Sequence, residues 1–555
     1  MLKRSLVLML SLVLIVGFAA GCAPAAVPDT GGQITRAMVG SPDNFNPILY
    51  TESASGDIIP YLFDGMMRRD HEFELAPHIA KDWDISEDDT EITFWLHEGV
   101  KFHDGVELTA HDVEFTFSTM MDPDYPGTRG GNFQHIENIE VIDDYQIKFT
   151  LSEPFGPIMQ HLSWNIIPKH IFEEQAKEDI SELDAHPANR GRNVDVIGAG
   201  PYKWGEWVDG EYVRLERNDN YWMDEEYPFI SEILFIDVQD VDAQMRALEQ
   251  GDINYANVQA SDREHIIAEK GPEGDNTLKF EEVDQLGYTA IWYNHREEAF
   301  GDDKINPFTD VKVRQAITHA FNREQIIEQI LEGQGYLMHS HFPRSSWAYS
   351  EDHVTKLDYN PDKASELLDE AGWKEVDGSD YRHLDGDISN QKFEFTLLTH
   401  PENNTRVDMQ VIAQEQLREV GVKADPELVE WQTFINNHVD VGDFHAVILG
   451  WDLGGDPDPH NIFHSDSADS GLNYVAYENE DVDRLIEKGR NVVDPEERAK
   501  YYAELQQIMS EDLPYTFLFA TKQTIAVPIG MEGYKVGDTG LFYPEQWHIE
   551  EISAE

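Results

Sequence analysis

Three stretches of the chain alternate apolar and polar positions with a period of two. Ile92, Phe94 and Leu96 are interleaved by Thr93 and Trp95. Ile147-Lys148-Phe149-Thr150-Leu151 and Val213-Arg214-Leu215-Glu216 repeat the pattern. Alternation of this kind predicts strands with one buried face, and a further strand is expected from Phe393 to Leu398. Elsewhere the spacing is three and four. Val313, Ala316, Ile317, Ala320, Ile327, Ile330 and Leu331 predict a helical run that lasts until Gly333. Asn360-Pro361 opens another helix with a cap and an N1 proline. Leu367, Leu368 and Ala371 give it an apolar side, and Gly372 closes it. Asp494-Pro495-Glu496-Glu497 predicts a third helix start with a capping box. Strands and helices mixed over this length imply α/β lobes around more than one core. No internal repeat or low-complexity block interrupts the pattern beyond residue 33.

The N-terminal pattern is different. Lys3 and Arg4 precede an apolar run from Leu6 to Phe18, and Ala19-Ala20-Gly21-Cys22 follows. The run is too short to span a bilayer comfortably, so residues 1–21 read as a signal peptide and 22–32 as a Pro/Ala/Gly-rich tether. Small residues ending in Cys resemble the lipobox of bacterial lipoproteins, in which the Cys thiol carries the lipid. An ordinary signal peptide with an incidental Cys is the alternative. Both readings export the chain, and the first anchors it through Cys22 to the cell membrane, facing periplasm or exterior. Cys22 is the only cysteine. The mature chain therefore has no intramolecular disulfide, catalytic thiol or cysteine-based zinc site.

Charge narrows the function further. Lys and Arg number 41 against 107 Asp and Glu, a net charge of −66. Phosphate binding needs a basic surface, so nucleic acid is excluded as a partner. The acids are scattered, and 41% of residues are hydrophobic, which argues for a folded protein with an acidic skin rather than disorder. The chain has no P-loop, G-x-G-x-x-G, G-x-S-x-G or H-E-x-x-H. His460 and His464, after Asp456-Pro457-Asp458-Pro459, have the i, i+4 spacing of metal ligands. A third ligand is not evident, and the prolines favour a polar turn. Nothing demands catalysis.

One series of motifs is more specific. Pro77-His78-Ile79-Ala80-Lys81-Asp82-Trp83 leads through Thr93-Phe94-Trp95-Leu96 to Gly99-Val100-Lys101-Phe102-His103-Asp104-Gly105 and Leu108-Thr109-Ala110-His111-Asp112-Val113. Gly198-Ala199-Gly200-Pro201-Tyr202, Asn306-Pro307-Phe308, Glu430-Trp431 and Gly450-Trp451 follow in order. Together they resemble the family-5 solute-binding proteins of ABC importers, the group of the oligopeptide- and dipeptide-binding proteins. The resemblance implies a two-lobed, periplasmic-binding-protein-like α/β fold with a hinge and an inserted subdomain. Lobe one would comprise 33–64, 198–288 and 521–555, the insertion 65–197, and lobe two 289–520. Ligand would be enclosed between the lobes. It also implies a peptide ligand, a membrane ABC permease as partner, a monomer, and no cofactor, metal or enzymatic step. An oligosaccharide, nickel chelate or haem ligand, a non-transport sensor or chaperone, and a metallohydrolase using His460 and His464 are the alternatives.

The same resemblance nominates ligand-binding residues. Trp431 matches a Trp that lines a side-chain pocket, and Gly450-Trp451 matches a pair at the cleft floor. Peptide binders usually place an Asp three residues after that Trp, where it receives the peptide's amino end. Here the position is Gly454, which leaves Asp452 and Asp456 as the nearest carboxylates. An Arg seven residues after the first Trp serves some peptide binders, and here that position is His438. Arg406 resembles the Arg that holds a dipeptide's carboxylate, a task its bidentate fork suits, and Arg129 in a Gly-rich loop is a further candidate. Asn44, Phe45 and Asn46 follow the first strand, where the family's lobe-one loop faces ligand. Tyr293 lies where the chain crosses to lobe two, able to stack on ligand or to pack the hinge.

The acidic skin predicts a protein stabilised by salt. Its melting temperature, followed by circular dichroism, rises between low and molar NaCl as mutual repulsion is screened. An unchanged midpoint would remove salt adaptation as the explanation of the charge.

Overall fold

The computed structural model describes residues 31–38, 40–71, 74–192, 194–223, 228–301, 303–537 and 540–550. The signal segment, Cys22 and most of the expected tether lie outside the described residues. Strand β1 (Gln33–Met38) begins the first lobe. The chain then builds a second, separate sheet between Ala80 and Leu151. There β2 (Ala80–Ile85), β3 (Glu91–Leu96), helix α1 (Ala110–Met121), β4 (Ile136–Asp143) and β5 (Gln146–Leu151) follow one another. The strands pair antiparallel in the order β2-β3-β5-β4. Ile92, Phe94, Ile147 and Phe149 face inward, completely buried, as their alternation predicts. Thr109 starts α1 with a capping box, its N–H donating to Asp112 Oδ2 at 2.9 Å.

The chain returns to the first lobe as β6 (Tyr202–Val208), β7 (Tyr212–Arg217) and β8 (Glu232–Asp237). The sheet order is β1-β8-β7-β6, with β1 parallel to β8. Short β9 (Ala256–Val258) and β10 (Leu278–Asp284) come next. From β11 (Gly287–Tyr293) a second lobe is assembled. Its elements are α2 (Val311–Ala320), α3 (Arg323–Gln329), α4 (Pro361–Glu370), β12 (Glu394–Thr399), α5 (Asn404–Glu419), β13 (Lys423–Leu428), β14 (Ala446–Asp452), α6 (Glu480–Arg490) and α7 (Pro495–Asp512). β12 runs parallel to both β13 and β14, and β11 runs antiparallel to β14. The mixed sheets flanked by helices are the α/β class the sequence implies. Among the described residues no helix is long and apolar enough to cross a membrane.

The last long strand, β15 (Tyr515–Pro528), belongs to both lobes. Up to Thr521 it pairs with β11 and with residues 335–337; from Lys522 onward it pairs with β10 and β9. The other crossing nearby, between β10 and β11, is tied to it: Gln285 N–H donates to the Thr521 carbonyl at 3.0 Å.

Two helix expectations need correction. The run from Val313 to Leu331 is two helices, because Asn322 turns its side chain to cap Gln325 N–H at 3.1 Å and starts α3 anew. Local capping by Asn overrides the continuous apolar spacing. In α7, Asp494 accepts from Glu497 N–H at 3.0 Å, but the Glu497 carboxylate pairs forward with Lys500 instead of completing the box. Helix α4 follows expectation, with Asn360 capping Lys363 N–H and Gly372 at φ +89° past its end.

The lobes also touch away from the hinge. The turn between α6 and α7 inserts Val493, completely buried, into the core of the inserted unit. Gly156 N–H donates to the Arg490 carbonyl at 2.6 Å, and the Arg490 guanidinium lies 5.4 Å from the Phe155 ring centre. A Cβ on Gly156 would fall 2.3 Å from the Val492 carbonyl oxygen, a backbone atom with little room to yield. Gly156→Ala should therefore lower stability by about 1–3 kcal/mol and part the lobes. A lower melting temperature and a larger radius of gyration in small-angle scattering are expected; no change in either would make this contact dispensable.

Candidate functional site

The second lobe offers one wall of a cleft at the end of β14. Gly450, Trp451 and Asp452 lie opposite Thr289, Tyr288 and Gly287 of β11. A Cβ at Gly450 would fall 2.3 Å from the Tyr288 carbonyl oxygen and 3.4 Å from Arg406 Nη2. Glycine there lets the Arg406 side chain lie over the strand. Arg406 itself is fixed by the first turn of α5, where Asn403 accepts its N–H at 3.0 Å. Its Nη1 donates to His400 Nε2 at 3.2 Å, and His400 Nδ1 in turn donates to Glu402 at 3.0 Å. The buried Nε of Arg406 has no hydrogen-bond partner among the described residues. Burial draws the guanidinium below its ordinary pKa, with Asp452 pulling the other way. A cavity of about 100 Å³ opens here, lined by Arg406, Gly450, Trp451 and Asp452, with Phe519 and Thr521 from β15.

Aromatic packing holds this wall rigid. Trp292 stacks on Trp451 at 5.1 Å and 19° and on Tyr515 at 5.1 Å and 13°, and Tyr474 lies parallel to Trp451 at 6.1 Å. Offset stacks of this kind add to area burial and fix ring orientation. Trp431 stands at the rim, 39% exposed, with its ring edge-on to His400 at 4.7 Å.

The first lobe and its insertion offer a larger cavity of about 600 Å³, bordered by Tyr50, Arg69, Gln160, Trp164, Asn257 and Ile525. Arg129 stiffens its rim. The guanidinium lies between the Tyr50 and Trp164 rings, at 4.5 and 4.9 Å, and donates to the Ile48 carbonyl at 3.2 Å.

A family model described as bacterial extracellular solute-binding proteins, family 5, middle region, matches residues 74–474. The chain belongs to this family. The chain is 35% identical to the oligopeptide-binding protein AppA of Bacillus subtilis, across 95% of this chain and 93% of that protein. The solved structure of AppA in complex with a nonapeptide matches with a TM-score of 0.69 and 34% identity, over 94% of this chain and 100% of that one. NikZ from Campylobacter jejuni, solved with Ni(L-His), matches with a TM-score of 0.68 and 25% identity, over 93% and 99% of the two chains. The family is one of solute-binding proteins, not enzymes.

Within this family-5 frame the nominated residues separate. Arg406, Gly450, Trp451 and Asp452 come together on one cavity, and Trp431 joins them through His400. Asp456 is committed elsewhere. Arg498 grips both its oxygens, at 2.7 and 2.8 Å. Burial raises the Asp456 pKa, but Arg498 more than cancels this and holds it below the usual carboxylate range. His438 Nδ1 donates to the Asp443 carbonyl at 2.9 Å and closes a turn. Phe45 is buried with its edge on Trp204 and Trp207, while Asn44 and Asn46 bond Asp184 and Asn189 and brace the loop. Tyr293 is buried, its hydroxyl 2.6 Å from Thr516 Oγ1. His460 and His464 stack at 4.5 Å across a one-turn helix, His460–Phe463, instead of the polar turn the prolines suggest, and Asp458 just before it sits 3.0 Å from Arg490. Sequence reasoning missed Tyr50, Arg69, Trp164 and His400. Only Arg68-Arg69, adjacent cations in so acidic a chain, carried a signal.

Buried imidazoles around these walls make stability pH-dependent. Burial pulls His103, His161 and His460 down to about 4 and His295 and His341 down to about 3. In the unfolded chain they titrate near 6.5. Below that pH the unfolded state takes up protons that the native state refuses, so stability falls from pH 6.5 toward 3–4. Asp458, lifted by burial to about 6, and Asp89 and Asp112, also raised by burial, work in the opposite direction but are fewer than the five histidines. Thermal melts from pH 7 to 4 should show a steadily falling midpoint; a flat or rising midpoint would mean these histidines are solvated.

Proposed function

We propose that the chain captures extended peptides between its two lobes outside the cell and hands them to an ABC permease. In this reading it is a monomer held to the membrane by lipid on Cys22. Lobe one comprises 33–64, 198–288 and 521–555, the insertion 65–197, and lobe two 289–520. The observation that carries the peptide reading is Arg406. A guanidinium whose buried Nε has no partner among the described residues lines a cavity beside the hinge, and a carboxylate fits such a fork. The AppA–nonapeptide likeness supports the same ligand class. Asp452 and Trp451 border that cavity and would contact the chain end it holds, with Trp431 at the rim. Gly454 leaves its surroundings open, since no atom lies within 4 Å of where a Cβ would be. The amino end would then be free of a fixed anchor, and peptides of several lengths would fit.

A second reading rests on Trp431. An exposed ring near polar groups such as Asp452 and Thr289 also suits the face of a sugar, and an oligosaccharide would use the same cleft. Native mass spectrometry of the purified mature chain, followed by denaturation, separates the two. Release of a ladder of peptides is expected. Arg406→Gln should then weaken a bound peptide by about 10–100-fold, the worth of a hydrogen bond to a charged group, as read by calorimetry. A released sugar or metal chelate, or undiminished peptide affinity in the variant, would defeat the reading.

A further inference from the structure

The Arg406 side chain lies over Gly450 because a second side chain holds it there. His400, the first residue after β12, is only 9% exposed and stands behind Arg406, outside the lining of the 100 Å³ cavity. Its ring joins two groups of opposite kind. Glu402 as a carboxylate offers only acceptors, so Nδ1 must carry the proton of the 3.0 Å bond to it. The guanidinium of Arg406 offers only donors, so Nε2 must present its lone pair at 3.2 Å. The two bonds select one tautomer, and in that tautomer the ring is uncharged. Packing fixes the ring plane as well. Trp431 meets it edge-on at 4.7 Å, and Phe434 lies against it at 6.2 Å and 28°.

The kind of acceptor decides what Arg406 has left to offer. A carboxylate at position 400 would pair with the guanidinium and cancel its charge. An uncharged imidazole takes one N–H and leaves the charge in place. Glu402, which orients the ring, has its side chain 56% exposed and is itself surrounded by water. Asp452 borders the same cavity and acts on Arg406 through its field, without a hydrogen bond to it among the described residues. Ordering a long side chain at the moment of binding lowers affinity, and ordering it beforehand avoids that loss.

We propose that His400 is a positioning residue: as an uncharged acceptor it holds the Arg406 fork over Gly450 with its charge uncancelled, and so sets a preference for ligands that end in a free carboxylate. The inference rests on the peptide reading above and deepens it. His400 acts only through Arg406 and does not touch the ligand.

The test is calorimetric titration at neutral pH with alanine peptides that end either in a free carboxylate or in an amide. The wild type is expected to prefer the acid by roughly 10–100-fold, the worth of a hydrogen bond to a charged group. Gln and Glu at position 400 have the same shape and differ in charge. His400→Gln, whose side-chain oxygen can accept from Arg406, should keep most of the acid-to-amide ratio. His400→Glu should bring the ratio close to one by weakening the acid alone. In Arg406→Gln the ratio is already close to one, and adding His400→Glu should change it no further. Equal loss for acid and amide in both His400 variants would make His400 a packing residue and overturn the inference, with peptide binding intact. A ratio that His400→Glu leaves at its wild-type size overturns it too. Nitrogen-15 shifts of the wild-type His400 imidazole need no variant to fold. They should show Nδ1 protonated and Nε2 bare, and a proton on Nε2 overturns the inference. Failure of every peptide, with a sugar or chelate released in native mass spectrometry, overturns the peptide reading and this inference with it.

Discussion

The structure depends on one backbone ladder that does not stop at the lobe boundary. β15 gives its first seven residues to the sheet of the second lobe and its remainder to β10 and β9 of the first. A strand with pairing on both sides cannot slip by one residue without turning every side chain to the wrong face. The lobes therefore share a fixed register, and motion between them is confined to the step at Thr521–Lys522 and the tied crossing at Gln285. The same strand places Phe519 and Thr521 on one cavity and Ile525 on the other. Hinge and site are thus made from one element, and rotation at the hinge changes the distance between the two walls directly.

The extreme charge has a counterpart inside. Of the few basic residues, Arg314, Arg323, Arg382 and Arg498 are almost wholly buried. Arg498 is held mainly by Asp456, but the other three donate mainly to backbone carbonyls: Arg314 to Phe308 at 2.7 Å, Arg323 to Met338 and Phe517 at 2.8 and 2.7 Å, Arg382 to Val420 at 2.7 Å. A guanidinium carries five donors in a fixed fork, so it can satisfy several backbone carbonyls at once. Cations used this way cannot neutralise the surface. The acidic skin follows chiefly from the excess of acids, and the four buried arginines add only slightly to it.

How far all this was legible follows from the range of each interaction. β3, β5 and β7 were legible because alternation is written in neighbouring residues and burial respected it. The start of α4 was legible for the same reason, its Asn-Pro cap being local. The break at Asn322 was not, since the apolar spacing ran through it and only the cap decided. Site residues on β14 could be nominated because Gly450-Trp451-Asp452 are adjacent in sequence and share one sheet end. Phe45 and Tyr293 were ambiguous: an aromatic after a strand reads the same whether it faces ligand or core, and the partners that bury them, Trp204 and Thr516, lie more than a hundred residues away. Arg69 against Gly455 was invisible for that reason too, being a contact between segments nearly four hundred residues apart.

The contacts that join the lobes outside the hinge bear on how tightly any ligand can be held. Val493 in the core of the insertion and the Gly156–Arg490 bond both stabilise the joined arrangement without a ligand. A binding-competent state that is only partly populated reduces apparent affinity by its population. Contacts that favour closure in advance raise that population and so raise affinity for every ligand alike. They contribute nothing to selectivity, which needs a group whose energy differs between ligands in the closed state. The Val493 and Gly156 contacts are of the first kind, since no ligand atom can reach a buried apolar peg or a backbone bond. Tightness common to all ligands is thus set by residues that no ligand touches, and it can change without altering preference among ligands.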